Sequence, residues 1–425
     1  MGPQTPNERV RARLAEVFRV EHARVVASVL RIVRDIDAAQ DVVQEAFEQA
    51  LDHWPGDGIP DRPGAWLLTT ARRRALDHLR RARRAGARVD ALAHAALGTA
   101  QAAPDVSDPD EIPDDRLRLI FTCCHPALPP DSRVALTLRL VGGLSTAEIA
   151  RAFLVPEPTI AQRLVRAKRT LRDGGFPYEV PEGAERAARL SAVLAVLYLI
   201  FNEGYAAHSG GDLVRHDLCE EAIRLGHVLA GLMPGEPEAL GLLALMNLQA
   251  SRAAARTDAD GNLVLLEDQD RRRWDRARIA RGLACLERAG RMERAGPYQL
   301  QAAIAACHAR APAWEATDWP RIVAQYRALL ELSPSPVVEL NLAVAIGLAD
   351  GPAAGLAALD RIGDPALRDY HLLPAARADF LRRLGRAPEA AAEYRRALGL
   401  ADNAREQAFL AARLAACEAD RGPAA

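Results

Sequence analysis

Lysine is almost missing from this chain. Lys168 is the single one, so nearly all of its positive charge is arginine. Alanine is abundant beside it, and a skew of that kind reflects a GC-rich genome as much as a need for guanidinium chemistry. Clustering of arginine therefore carries information, and its abundance does not. Cysteine is scarce too: six in 425 residues exclude the disulfide framework of a small secreted protein. The N-terminus lacks the charged-then-apolar pattern of a signal peptide. The longest apolar run, Leu190 to Phe201, is a dozen residues, whereas a bilayer span needs about 20. A buried helix, a cytoplasmic location and no membrane partner are expected. No Walker loop, dinucleotide fingerprint or nucleophile elbow occurs, so neither catalysis nor a cofactor is expected.

What is present is helical periodicity, with little two-residue alternation, which predicts an all-α chain. At this length two or three domains are expected. The net charge of −1 hides local polarity, because cations outnumber acids from Thr70 to Arg88 and again from Ile160 to Arg172. Residues 7–84 read as a first helical domain. Residues 85–113, rich in Ala, Gly, Asp and Pro with no sustained apolar face, read as a flexible linker. Residues 114–173 read as a second compact domain, and Gly174-Gly175-Phe176-Pro177 separates it from a third at 176–425.

The second domain ends in the most informative stretch of the sequence. Ser145 with Glu148 three residues later is a capping box that fixes a helix start. Ile149, Ala150 and Phe153 give that helix an apolar face, and Val155-Pro156-Glu157-Pro158 breaks it. Proline is tolerated in a first helical turn, so a second helix begins at about Pro158. Ile160, Leu164 and Ala167 turn that helix toward the first. Thr159, Gln162, Arg163, Arg166, Lys168 and Arg169 are left facing outward or flanking. This is a helix-turn-helix suited to the major groove, where Arg and Gln read base edges and other cations hold phosphates.

Two further helices bear on function. Asp35 to Leu51 has Val42, Val43, Ala46, Phe47 and Leu51 as its buried stripe and Asp37, Asp41, Gln44, Glu45 and Glu48 on the other face. Such a face either binds a basic partner or is simply solvated. Ala65 to Arg84 has Leu68, Ala71, Ala75, Leu76 and Leu79 as its stripe, with seven arginines and one aspartate on the remainder. It can neutralise several phosphates. Trp66 at its start either packs in the core or stacks on an unpaired base, as single-stranded or melting DNA would require.

In this order the motifs resemble extracytoplasmic-function (ECF) sigma factors of the sigma-70 family of bacterial RNA polymerase. They comprise an Asp-Ala-x-Asp-x-Val-Gln-Glu-x-Phe helix, an Ala-Trp-Leu…Ala-Arg…Asp-x-Leu-Arg-Arg helix, a linker and a terminal helix-turn-helix. The resemblance covers residues 7–173. It implies that Asp37, Asp41, Gln44 and Glu45 bind the β′ coiled coil of core RNA polymerase. It implies that Trp66, Arg72, Arg73, Arg80 and Arg81 recognise and open the minus-10 promoter element. The helix-turn-helix residues Thr159, Gln162, Arg163, Arg166, Lys168 and Arg169 would then read the minus-35 element. One departure stands at Arg73, where family members commonly carry Asn, and it leaves the proximal-element preference open.

The remainder is similar to a subgroup with a long tetratricopeptide-like extension. The similarity rests on Phe121 to Pro126, Gly174 to Pro181, Leu199 to Tyr205 and Leu265 to Arg271. An internal repeat agrees: Tyr326 to Leu330 recurs at Tyr394 to Leu398, two periods of about 34 residues apart, and Gly351 precedes Gly385 by one. An α-solenoid that tunes the sigma domains in cis, by intramolecular contact, is implied. Other groupings point less far. Cys123-Cys124-His125 lacks zinc-ligand spacing, as does the set His208, His216 and Cys219. Asp258 to Asn262 lacks the full calcium-loop pattern. Asn202 to Tyr205 reads as a capped helix end. Two alternatives stay open: a conventional helix-turn-helix regulator with a sensing solenoid, and a scaffold whose repeats are the working part.

Overall fold

The structure is a computed structural model that describes residues 6–93, 112–153, 155–205, 216–258, 264–363, 367–368, 370–401 and 404–419. Among these the chain is all helical and forms no strand. It divides into two compact units, residues 1–197 and 198–425.

In the first unit, α1 (Pro6–Val33), α2 (Ile36–Asp57) and α3 (Pro63–Ala93) pack on one another. The apolar stripes account for this. Val25, Val26, Val29 and Leu30 of α1 meet Val42, Val43 and Phe47 of α2 and Leu67, Ala71 and Ala75 of α3, all buried. Leu51, expected in that stripe, is exposed, as is Ile59 beyond it; the stripe ends with Ala50 and resumes at Trp54. Asp35 starts α2 by accepting the Ala38 N–H at 2.8 Å, a cap that satisfies an otherwise orphan donor. Gly58, with φ of 86°, closes it. The helix thus runs through Trp54 and Pro55. Helix α3 continues to Ala93, so residues 85–93 of the expected linker are helical; residues 94–111 lie outside the described residues.

Next come α4 (Ile112–Cys123), α5 (Pro130–Leu140), α6 (Thr146–Ala152) and α7 (Glu157–Asp173). Helix α4 packs against α1 and α5, and α7 against α5 and α6. The buried Asp115 carboxylate of α4 pairs with Arg118 at 2.7 Å and with Arg31 of α1 at 3.4 Å. Helix α8 (Gly183–Tyr205) carries the long apolar run. The division between units falls inside it. Its span Glu185–Tyr205 is long and apolar enough to cross a membrane by length and composition, and half of it is buried within the protein. Leu199, in the run expected to be buried, is exposed.

The second unit continues with α9 (His216–Leu232), α10 (Pro237–Ala250), α11 (Arg276–Gly290), α12 (Pro297–Arg310), α13 (Trp319–Leu332), α14 (Pro336–Asp350), α15 (Pro352–Asp360), α16 (Leu372–Arg383), α17 (Ala387–Leu400) and α18 (Ala404–Ala419). Most pack chiefly on their neighbours in sequence, while α12 packs above all on α10. Small residues permit close approach: a Cβ placed on Gly355 would stand 2.6 Å from the Gly347 Cα and 2.5 Å from the Phe380 ring. Gly351 and Gly385 both adopt positive φ in the turns that precede α15 and α17.

Candidate nucleic-acid interface

The helix-turn-helix begins as its cap dictates. The Ser145 N–H donates to Glu148 Oε2 at 2.7 Å, and the Glu148 N–H donates to Ser145 Oγ at 3.1 Å. This reciprocal pair fixes the start of α6. Pro156 precedes α7 and Pro158 lies in its first turn. Ile160, Leu164, Ala167 and Leu171 are its buried residues, and the helix packs on α5 and α6. Gln162, Arg166 and Arg169 are exposed, and Thr159 is half-buried. Arg169 pairs with Asp173 at 3.2 Å, while Arg163 is held by Asp131 of α5 at 3.1 Å. Val165, which pattern reading passed over, is 62% exposed. It sits between Gln162 and Arg166 on the face that would enter a groove. A lone apolar residue among exposed polar ones at helical spacing was the available signal.

Lys168 points elsewhere. Its Nζ donates to Asp37 Oδ1 at 2.5 Å and to Gln40 Oε1 at 3.2 Å. One turn on, Arg172 donates to Asp37 Oδ2 at 2.5 Å and to Asp35 Oδ2 at 3.1 Å. The C-terminal end of α7 is thus joined by ion pairs to the N-terminal end of α2. Burial alone would raise the Asp37 carboxyl, but the hydrogen bonds and charges of Lys168 and Arg172 outweigh it and hold it below its ordinary value.

The other α2 residues remain on its outer face. Asp41, Gln44 and Glu45 are exposed, with Gln44 donating to Glu48 at 2.9 Å. Glu45 accepts from Arg74 of α3 at 2.5 Å. Beside that contact α2 and α3 form a cleft of about 290 Å³ lined by Glu45, Gln49, Arg73, Arg74, Asp77 and Arg81. It brings residues from both predicted sets together. Arg73, Arg80 and Arg81 are exposed, with Arg80 paired to Asp77 at 3.2 Å. Arg72 is half-buried, and its Nε donates to the buried Ser28 hydroxyl at 2.8 Å. Trp66 is half-buried with its ring edge-on to Trp54, centroids 5.6 Å apart.

Cys123 and Cys124 are buried. Burial pushes the Cys124 thiol up to about 11, and its Sγ lies 3.4 Å from Thr137 Oγ1. His125 faces Phe176, ring centroids 4.0 Å apart. Among the described residues no group of three His, Cys, Asp or Glu side chains is placed to hold a metal ion. His208 and residues 259–262 of the other groupings lie outside the described residues.

Known proteins agree with this arrangement. Residues 17–85 match the family described as Sigma-70 region 2, and residues 118–171 match Sigma-70, region 4. Residues 189–290 match a family of unknown function, DUF6596. An uncharacterized protein of Rhizobium meliloti is 46% identical over 392 residues, covering 92% of each chain. The ECF RNA polymerase sigma factor SigL of Mycobacterium tuberculosis is 34% identical over 164 residues, which cover 38% of this chain and 88% of that one. SigK of Mycobacterium bovis, another ECF RNA polymerase sigma factor, is 31% identical over 166 residues, covering 38% and 85%. With the region 2 and region 4 helices in that order and a relative matched over nearly its whole length, the chain belongs to the ECF RNA polymerase sigma factors of the sigma-70 family.

Proposed function

We propose that the chain delivers core RNA polymerase to specific promoters through three surfaces of its first unit, and that the extension at residues 176–425, whose helices beyond Leu197 form the second unit, is tetratricopeptide-like and modulates this activity. Asp37, Asp41, Gln44 and Glu45 engage the β′ coiled coil. Arg73, Arg80 and Arg81 hold the minus-10 element, with Trp66 at the point of strand opening. Arg72, tied to Ser28, positions α3. Gln162, Arg166 and Arg169 with Val165 read the minus-35 element, the valine meeting a thymine methyl group; Thr159 and Arg163 flank the groove. The chain itself catalyses nothing, and its partners place it in the cytoplasm. The observation that carries the reading is the placement, in one unit, of an exposed acid-and-amide face on α2, an exposed arginine face on α3 and a capped helix-turn-helix.

The same unit has a resting arrangement. Asp37 is occupied by Lys168 and Arg172, so a β′ contact at Asp37 and a DNA contact at Lys168 both require these ion pairs to exchange. Core polymerase and promoter replace them together. The test is run-off transcription by purified bacterial core polymerase on a promoter obtained by genomic enrichment. The full chain is compared with a truncation ending near Asp173. Specific transcripts from the full chain are expected, and the truncation's output gives the sign of C-terminal control. DNA binding without any transcript would replace this reading by that of a conventional helix-turn-helix regulator.

A further inference from the structure

Among its described residues, the second unit gathers three arginines with which no carboxylate pairs. Arg252 and Arg256 both lie over the Tyr205 ring, guanidinium carbons 5.7 and 4.0 Å from its centroid, and Arg256 donates to the Tyr205 carbonyl. Ser251 accepts the Asp275 N–H at 2.8 Å, which lays the short turn Ala253–Ala255 beside the turn Arg271–Arg273. Arg271 is buried there. Its Nη1 donates to the His308 and Ala311 carbonyls at 2.5 and 2.8 Å, and its guanidinium lies 4.7 Å from the Trp274 ring. The neighbouring Arg272 and Arg278 have carboxylate partners, Asp270 and Glu220. Among the described residues Arg252, Arg256 and Arg271 form no ion pair, and Glu315 reaches Arg271 only through its field.

Donors accumulate at the same place. Arg271 Nη2, Trp274 Nε1, His308 Nδ1 and the Tyr205 hydroxyl are buried with no hydrogen-bond partner among the described residues. Buried polar atoms are nearly always paired, so four around one arginine cluster call for an acceptor. Burial, then the charges of Arg252 and Arg271, push the His308 imidazole down to about 4, which leaves it neutral near pH 7 and able to donate one N–H. Like charges this close repel and favour a counter-anion. Two stretches noted in the sequence, Leu199 to Tyr205 and Leu265 to Arg271, each end on a member of the cluster.

We propose that Arg252, Arg256, Arg271 and His308 form a binding site for a small phosphate-bearing ligand, a phosphoryl or pyrophosphoryl group being the part recognised. Planar guanidinium forks match pairs of phosphate oxygens. Three positive charges suit a multivalent anion better than a single carboxylate. Arg252, half-exposed and without an ion pair, is the cation that meets the ligand, while Arg271, fixed by two carbonyls, forms the floor. The site gives the proposed modulatory domain something to sense. It rests on that reading only for its consequence, because binding is measured on the free protein without polymerase.

The experiment is calorimetry and thermal unfolding of the full chain with inorganic phosphate, pyrophosphate and citrate. Pyrophosphate is expected to bind and to raise the melting temperature. Arg252→Gln should weaken it about tenfold or more. In ligand-free buffer that variant should melt no lower than the parent, since a repulsion is relieved; a lower melting point would make Arg252 structural and overturn the site. Absence of anion binding, unchanged affinity in Arg252→Gln, or citrate binding more tightly than pyrophosphate would each overturn the assignment. A loss shared by Arg166→Gln would move the anion to the DNA-reading helix and do the same. Arg252→Lys, which keeps the charge and loses the fork, should fall between parent and Arg252→Gln.

Discussion

Arg72 and Arg73 are neighbours in sequence but leave α3 on different sides. The Arg72 Nε meets a hydroxyl that is itself fully buried, Ser28 on α1. Removing the guanidinium strips a charged hydrogen bond and strands that hydroxyl, so Arg72→Ala should lower the unfolding free energy by about 1–3 kcal/mol. Arg73 is exposed. Arg73→Ala should leave the denaturation midpoint unchanged and reduce permanganate-detected strand opening; the opposite pattern would reverse the two assignments. Asp37 gives a pH signature. Its carboxyl is held below the ordinary value of 3.8 by Lys168 and Arg172 against the effect of burial. A depressed carboxyl contributes stability at every pH above its unfolded value and loses it as pH falls through the folded one. The pair is substantially exposed, so the contribution is below about 1 kcal/mol. The stability difference between the parent and Asp37→Asn should be present at neutral pH and disappear in acid below 3.8. A difference that persists there would mean that Asp37 acts through something other than its charge.

At the scale of the element, α6 depends on its cap more than on its length. It has seven residues, too few to be stable alone, and the Ser145–Glu148 pair satisfies two donors at its start. Ser145→Ala should cost about 1 kcal/mol and weaken protection of the distal promoter element in a footprint, without changing the proximal one. Equal loss at both elements would show that the cap stabilises the whole unit. This helix and α7 were legible from sequence because cap, proline break and 3.6-residue stripe are local signals. The stripe of α2 was legible as far as Phe47, and Leu51 was named in place of Ala50 because periodicity does not say where the covering helix ends. The direction of Lys168 could not be read at all. Its partner Asp37 lies 131 residues away, and nothing local marks which cations of α7 turn to α2 and which face outward. Tyr205 and Arg271 were visible only as members of separate stretches. That they share one cationic cluster is a property of packing.

Over the whole molecule, the path from the first unit toward the second is a part of the first. After α7 the chain places Phe176 against His125 and half-buries Tyr178. The Tyr178 hydroxyl lies 3.2 Å from the Ala27 carbonyl of α1 and 3.1 Å from the Asp115 carbonyl of α4. Arg189 of α8 then donates to the Phe121 carbonyl at 3.0 Å with its guanidinium over the Phe121 ring. Helix α1 runs into the region 2 match and α4 leads into the region 4 match, so one hydroxyl touches a helix of each. A truncation near Asp173 removes these ties together with the rest of the extension, and its effect on transcription cannot be credited to the C-terminal helices alone. Tyr178→Phe in the full chain separates the two. It deletes the hydroxyl and keeps the ring, so the first unit should lose about 1 kcal/mol and remain folded. If C-terminal control passes through this segment, run-off output from Tyr178→Phe should move in the same direction as that from the truncation. Parent-level output from Tyr178→Phe, beside a truncation that differs, would place the control in the helices beyond Leu197.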